Sequence, residues 1–387
     1  MTPRRRFTVM DLFCGTGGFS KGFENSGPFD VIYGIDLLQS SIDTFALNHP
    51  DALVVAGDIR AVPRPEVAQR LAVDRGGVDV IIGGPPCQGF SSIRPNRSTT
   101  YDDPRNTLFE EFAAYVGYWR PQVFVFENVV GLATHNRGAD LDAVLLAFSA
   151  LGYRTDWRIL NSGHFGVPQK RERLIVIGTR SEEPVVWPTP THRGIFRTIG
   201  IQDKARMLRP GASDSGDLPP AWTVMDAIGD LPKIASGEFA VEYDALPHNA
   251  YQAARRGDAA ELTLHNSTRH TARMLEIISY SGPNRSSIPT HLISTGFSSS
   301  YSRLAADEPA PTITVNFVHP ASNKCIHPYL DRALTPREGA RLQSYDDSFR
   351  FAGSNRTTIA KQIGNAVPPL LGRAIGSAVL EMLTRST

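Results

Sequence analysis

Five short apolar runs, rich in β-branched or aromatic residues, stand at Phe7–Phe13, Val31–Ile35, Val78–Ile82, Val123–Phe126 and Leu174–Ile177. None alternates apolar with polar positions, which is the pattern of strands buried on both faces in a parallel sheet covered by helices. Between them lie helical stretches at Gly18–Glu24, Ser40–Asn48, Asn106–Trp119 and Leu141–Leu151. Strand and helix in repetition predict an α/β fold with a doubly wound, mostly parallel sheet. The pattern changes after about Trp187. From there to roughly Pro309 the chain is dense in Pro, Gly, Ser and His, and only Thr271–Ser279 reads as a helix. Residues 187–308 are therefore expected to form a smaller, irregular domain after a first domain of residues 1–186. In the last segment, 309–387, Pro336 suits a first helical turn that Arg337–Ser344 continues, and Leu370–Leu383 is a final helix. No fixed-period repeat interrupts this order.

A chain of 387 residues with 41% hydrophobic content can bury a large core in one large domain or two. The start, MTPRRRFTVMDLF, has arginines but no apolar h-region, and Arg4–Arg6 read as a solvated beginning. No apolar run approaches the roughly 20 residues of a spanning helix. Three scattered cysteines, at 14, 87 and 325, argue against a disulfide framework and fit a reducing cytosol. A cytoplasmic protein with no membrane partner is expected. The net charge of +1 neither shows nor excludes a nucleic-acid partner, which needs only a local basic surface.

Two regions carry chemistry. Met10–Gly18, MDLFCGTGG, is a strand running into a Gly-rich turn, where backbone approaches a ligand that a Cβ would obstruct. No Lys-[Ser/Thr] pair closes it, which argues against a P-loop. Asp36 ends the second strand where α/β cofactor sites hold a ribose hydroxyl, and Asp58 follows the expected third strand, placed to accept from an adenine amino group. Helix capping is the competing reading of these acids, although Ser40 and Asp43 suit that role better than Asp36. Val78–Ser92, VDVIIGGPPCQGFSS, ends a buried strand in two glycines and two prolines before Cys87. The prolines stiffen the loop, and the carboxyl ends of strands are where open α/β sheets bind ligands. A free cysteine is usually a small buried hydrophobe, which accounts for Cys14 and Cys325 but poorly for Cys87. Glu127 closes the next apolar strand, where partial desolvation suits it to hold or donate a proton. In Pro168–Ile177, PQKRERLIVI, strand alternation sets Lys170 and Glu172 on one side and Arg171 and Arg173 on the other.

DLFCGTGG, GID, GDI, GGPPCQGFS, ENV, QKRER, RALTPREGARLQSY and QIGNAVPP, in this order, resemble the C5-cytosine DNA methyltransferase family of bacterial type. The match weakens only over about Trp187–Glu308, where that family keeps its variable target-recognition region. Cys14 departs from the family's more common Ala. The resemblance implies the class I S-adenosylmethionine-dependent methyltransferase fold, with methyl transfer from S-adenosylmethionine to carbon 5 of a flipped-out cytosine in a specific duplex DNA sequence. It implies Cys87, Glu127, Arg171 and Arg173 as catalytic residues, with Cys87 adding to carbon 6. For the cofactor it implies Asp11, Phe13, Gly15, Thr16, Gly17, Asp36, Leu37, Asp58, Ile59, Pro86, Leu108, Asn365 and Val367. The last two sit in a final segment that returns to the first domain. Candidates for DNA contact are Gln88, Ser91, Arg94, Gln169, Ser300 and Arg303, the last two in the Gly296–Leu304 stretch, which reads equally as a solvated turn. No metal is expected, since His265 and His270 lack further ligands at zinc-binding spacing. A monomer suffices for this chemistry, and a cognate restriction or other defence system is a conceivable partner. The alternatives are a tRNA-directed cytosine-5 methyltransferase, a catalytically silent DNA-binding homologue and a nicotinamide-dependent oxidoreductase. The last does not account for PPCQGF, ENV and QKRER together.

Overall fold

The computed structural model describes residues 5–86, 108–194, 206–208, 217–293 and 298–385. In chain order the strands are β1 (Phe7–Leu12), β2 (Phe29–Asp36), β3 (Leu53–Ala56), β4 (Val80–Gly83), β5 (Val123–Asn128), β6 (Arg154–Asn161), β7 (Gln169–Lys170), β8 (Glu172–Thr179), β9 (Met207–Leu208), β10 (Ser302–Arg303), β11 (Ala310–Pro311) and β12 (Lys324–Ile326). The α-helices are α1 (Gly18–Glu24), α2 (Gln39–Asn48), α3 (Arg64–Leu71), α4 (Leu108–Trp119), α5 (Ala139–Ala150), α6 (Val224–Ile228), α7 (Ala250–Arg256), α8 (Ala272–Ser279), α9 (Pro336–Leu342), α10 (Arg356–Asn365) and α11 (Pro369–Arg385). They fall into two units. The second comprises Gly166–Arg171 and Pro219–Pro368, and the first the remainder. These divisions lie at Leu218/Pro219 and Pro368/Pro369, not at the compositional changes near residues 187 and 309.

The first unit is built on one sheet of order β3-β2-β1-β4-β5-β8-β6-β9. β1 to β5 are mutually parallel, and β8 enters antiparallel between β5 and β6. From β1 the chain winds one way through β2 and β3, then returns to the other side of β1 for β4 and β5. The topological switch therefore falls at the carboxyl ends of β1 and β4, where doubly wound sheets hold ligands. The central strands are apolar on both faces: Val80, Ile81 and Ile82 are fully buried, as are Phe124, Val125 and Phe126. Phe112 of α4 and Phe148 of α5 pack edge-on or tilted against Phe124 and Phe126. Two elements carry no continuous apolar run and so escape a reading by hydrophobic pattern. α3 buries only Val67, and β6 is half-exposed along its first five residues. At the start of the chain Arg5 and Arg6 are solvent-exposed, as expected, and each also pairs with a carboxylate, Arg5 with Asp79 and Arg6 with Asp30, both at 2.7 Å, while Arg4 lies outside the described residues.

α11 belongs to this unit and packs on α1 through small residues. A Cβ on Gly22 would stand 2.5 Å from the carbonyl oxygen of Pro369. Arg356–Arg385 is long and apolar enough to cross a membrane by length and composition, but 67% of its apolar window is buried within the protein.

The second unit has short strands and helices around apolar side chains such as Ile313, Phe317, Leu342 and Ile363, and it also buries charge. Arg332, Arg337 and Arg341 are each wholly buried. Arg332 forks onto Glu338 at 2.8 and 2.7 Å, and Arg341 onto Asp347 at 2.6 Å through both Nε and Nη2. Asp230 accepts from Arg341 and Arg256, and the Tyr243 hydroxyl donates to Asp347. Thr335 and Glu338 form a capping box on α9. The RALTPREGARLQSY motif is thus the polar core of this unit.

Candidate active site

The turn after β1 is shaped by left-handed backbone. Phe13, Gly15 and Gly17 have φ of 58°, 53° and 84°. A Cβ on Gly15 would meet nothing within 4 Å, so space beside that backbone is open, whereas at Gly17 it would strike His49 and Phe45. Asp36, at the end of β2, holds the turn. Its Oδ2 accepts from the Gly15 N–H at 3.0 Å and its Oδ1 from Leu38 N–H at 2.9 Å. Leu37 next to it is 69% exposed at the same edge. Asp11 is buried and accepts from the Ser20 hydroxyl at 2.6 Å. Burial, with a smaller contribution from Asp36, pushes its carboxyl up to about 8 against the Ser20 hydrogen bond. Thr16 and Ile59 are buried, and Leu108 opens α4. Open space at Gly15, an acid at the end of β2 and an exposed leucine beside it fit the adenosyl part of the expected cofactor. Asp58 is engaged otherwise than expected: it caps the 3-10 turn Ile59–Ala61 through Arg60 N–H and pairs with the Arg60 side chain. The capping reading therefore describes its contacts, because the chain turns immediately after it. Asn365 ends α10, exposed, with Val367 two residues on, and both belong to the second unit.

The second cluster lies at the ends of β4 and β5. Arg173 Nε stands 2.7 Å from Glu127 Oε1, and both side chains are largely buried. Arg173 Nη1 also donates to the Glu172 carbonyl at 2.7 Å. The carboxylate expected to be partly desolvated is buried and is one half of an ion pair. Their meeting follows from strand direction: β8 runs antiparallel to β5 with Glu127 opposite Ile175, so the first residues of β8 lie at the carboxyl end of β5. Asn128 reaches the other way, its amide donating to the Pro85 carbonyl at 3.1 Å. Gly84 completes the fit, since a Cβ there would stand 2.7 Å from Glu127 Oε2. Pro86 is half-buried. Cys87, Gln88, Ser91 and Arg94 lie outside the described residues.

Several sequence-based expectations need correction. Arg171 and Arg173 do not alternate along one strand, because Arg171 lies between β7 and β8, outside both. Arg171 is buried in the second unit and donates to the Ile313 carbonyl at 3.4 Å. Gln169 is not available for DNA: wholly buried, it donates to Leu342 O and Gln343 Oε1 and accepts from Ile313 N–H. Ser300 is likewise wholly buried. Arg303 donates to the carbonyls of Ile278, Ser281, His327 and Leu330 and pairs with Asp331, which makes it a brace within its own unit. Cys14 and Cys325 are buried, and burial pushes both thiols up, Cys325 to about 12. His265 lies between Thr335 and Pro232, and His270 accepts from Ala333 N–H.

Two anchored turns at the switch point of a mostly parallel sheet, one open beside glycine and one leading to a Pro-Cys, match a known family over nearly the whole chain. The model for C-5 cytosine-specific DNA methylases covers residues 7–381. The chain belongs to that family. It is a DNA (cytosine-5)-methyltransferase whose methyl donor is S-adenosylmethionine. Among curated relatives, the type II methyltransferase M.AgeI of Thalassovita gelatinovora is 32% identical over 96% of this chain and 98% of its own length. The type II methyltransferase M1.HphI of Haemophilus parahaemolyticus is 35% identical over 97% and 87%. Among solved structures, an E. coli prophage-encoded protein described as a DNA modification methyltransferase superposes with a TM-score of 0.73 at 26% identity, covering 98% and 99% of the two chains. The Dnmt2 methyltransferase of S. pombe, at 0.61 and 16%, shares the fold over 98% and 100% of the chains. In this methyltransferase the roles of Gly84 and Asn128 were the least visible in sequence. The only local signal was a Gly-Gly before the prolines and an Asn after the strand-end Glu.

Proposed function

We propose that Cys87 is the nucleophile of this methyltransferase, with Glu127 and Arg173 serving the cytosine ring. Carbon 5 of cytosine is a poor nucleophile. Addition of the Cys87 thiolate to carbon 6 moves an electron pair to carbon 5, which takes the methyl group. The sulfonium of S-adenosylmethionine supplies that methyl as an electrophile. Loss of the proton on carbon 5 then re-forms the ring double bond and expels the thiolate. Glu127 holds N3 and its proton, offsetting charge that builds in the ring, and Arg173 holds O2 while keeping Glu127 in place. The target base must leave the duplex stack to reach them. Residues 11–17, Asp36 and Leu37 hold the cofactor in this reading. The observation that supports it most is the buried Arg173–Glu127 pair at 2.7 Å, joined through Asn128 to Pro85, two residues before Cys87.

The type II relatives support a narrower reading, that the enzyme marks one short duplex sequence as the partner of a restriction nuclease. The test is transfer of tritiated methyl to mixed-sequence duplex DNA, with an RNA control and a Cys87→Ala variant, followed by bisulfite sequencing. Methylcytosine in one sequence context, abolished in the variant, is expected. A stable adduct with 5-fluorocytosine DNA, formed by the wild type alone, would identify the covalent step. Label confined to RNA, or retained by the variant, would overturn the reading.

A further inference from the structure

His49 closes α2 as its C-cap, and its side chain is wholly buried. Its Nδ1 lies 2.8 Å from Glu24 Oε1 in α1, and its Nε2 lies 3.3 Å from the carbonyl oxygen of Gly17 in the Gly-rich turn. The ring packs on Phe45 at 4.4 Å between centroids. Gly17 O also accepts from the Lys21 N–H at 2.8 Å, so the oxygen that begins the α1 ladder is the one His49 grips. Glu24 is in turn held by Lys21 at 3.2 Å. Burial opposes its charge, yet His49 and Lys21 together keep Glu24 below the usual carboxylate range. The imidazole thus stands between two oxygens, a carboxylate of α1 and the backbone carbonyl that opens the same helix.

Turn and ring are fitted to each other. Gly17 has φ of 84°, and a Cβ there would stand 2.5 Å from His49 Nε2. An apolar ring could fill the same space without the cost of burying polar groups. What the polar ring adds is a grip on the turn. Asp36 fixes Gly15 N–H from the end of β2, and His49 fixes Gly17 O from the end of α2, so one strand-helix segment clamps the turn at both ends.

We propose that Glu24 and His49 are positioning residues for cofactor binding: by anchoring the Gly17 carbonyl they set the backbone around Gly15 in its binding shape without touching the cofactor. This rests on the reading of residues 11–17 as the cofactor turn.

The test is calorimetric binding of S-adenosylhomocysteine to the full chain, with thermal unfolding and steady-state kinetics alongside. In His49→Phe the Kd is expected to rise about three- to tenfold, the worth of one hydrogen bond. KM for S-adenosylmethionine should rise more than kcat falls. His49→Gln, which can still donate to Gly17 O, should recover part of the loss. Should His49→Phe fail to fold, Glu24→Gln, which removes the charge that orients the ring, should still weaken binding. Asp36→Ala separates the two readings. If it binds as the wild type does, the turn itself is misassigned. If it weakens binding while folded His49→Phe, or Glu24→Gln in its place, binds normally, the positioning role alone is overturned.

Discussion

At the scale of single residues, the Arg173–Glu127 pair proposed as catalytic depends on one missing side chain. Gly84 has an ordinary backbone conformation, so its requirement is spatial. Any Cβ would press on Glu127 Oε2 at 2.7 Å and displace the carboxylate from Arg173. Gly84→Ala is therefore expected to fold with an unchanged melting temperature while kcat falls about tenfold to a hundredfold, the usual cost of misplacing a reacting group by a fraction of an ångström to an ångström. Methyl transfer at saturating DNA and cofactor, beside a melting curve, checks this. An unaltered kcat would mean that Glu127 has no part in the transition state. Asp11 shows the opposite logic, a polar group kept inside because Ser20 satisfies it while burial holds its carboxyl near 8.

At the scale of elements, two arrangements assemble the first unit. The antiparallel entry of β8 carries Arg173 to the carboxyl end of β5, which no parallel strand in that place would do, since its first residues would lie at the opposite edge. The close seating of α1 on α11 depends on Gly22, Gly372 and Gly376, each too near the facing helix or its flank for a Cβ at ordinary contact distance. Gly22→Ala would push the backbone at Pro369–Arg373 away and is expected to destabilise the protein by about 1–3 kcal/mol, as overpacking does. Urea unfolding followed by circular dichroism measures it. Because α1 begins at the turn proposed to hold the cofactor, the same variant should also weaken S-adenosylhomocysteine binding.

At the scale of the whole molecule, both units bury apolar side chains, and the second adds a layer of buried charge. The first buries an apolar sheet between helices. The second buries arginines and carboxylates in matched pairs, and such pairs are worth little over apolar packing until one partner is removed. Arg341→Met would remove the cation that Asp230 and Asp347 share and leave them to Arg256 and Arg337, at a cost of about 3 kcal/mol, the lower end for breaking a buried pair. The pairs also set an acid limit. Burial opposes the charge on Glu338 and Asp347, yet Arg332 in one case and Arg341 with Arg337 in the other hold them below the usual carboxylate range. A depressed folded-state pKa contributes stability that is present above about pH 4 and lost as the pH falls below it. Acid unfolding of the wild type should therefore steepen below about pH 4. Arg341→Met should have lost part of that dependence, which melting temperatures between pH 3 and 7, chosen as about that window, would reveal.

Much of this was legible from sequence alone because it is written locally. Unbroken apolar runs announced the parallel sheet, glycines and prolines marked the two turns at its switch point, and the order of short motifs carried the family, the reaction and the methyl donor. Legibility ended where a residue's partners lie far along the chain. Arg171 and Arg173, two positions apart, read as one face of one strand, but the strand is interrupted at Arg171 and each belongs to a different unit. Gln169 and Arg303 looked like groups to meet DNA, yet each spends its hydrogen bonds on carbonyls and side chains of its own unit, and Ser300 is buried beside them in sequence but beyond any reading by pattern. His49, one polar residue in NHP at a helix end, gave no sign that its ring meets Glu24 and the Gly17 carbonyl. Hydrophobic periodicity records which face of an element meets the core. A hydrogen bond between groups 32 or 46 residues apart, as for His49 with Gly17 and Arg173 with Glu127, is decided only when the folded backbone sets their distance and direction.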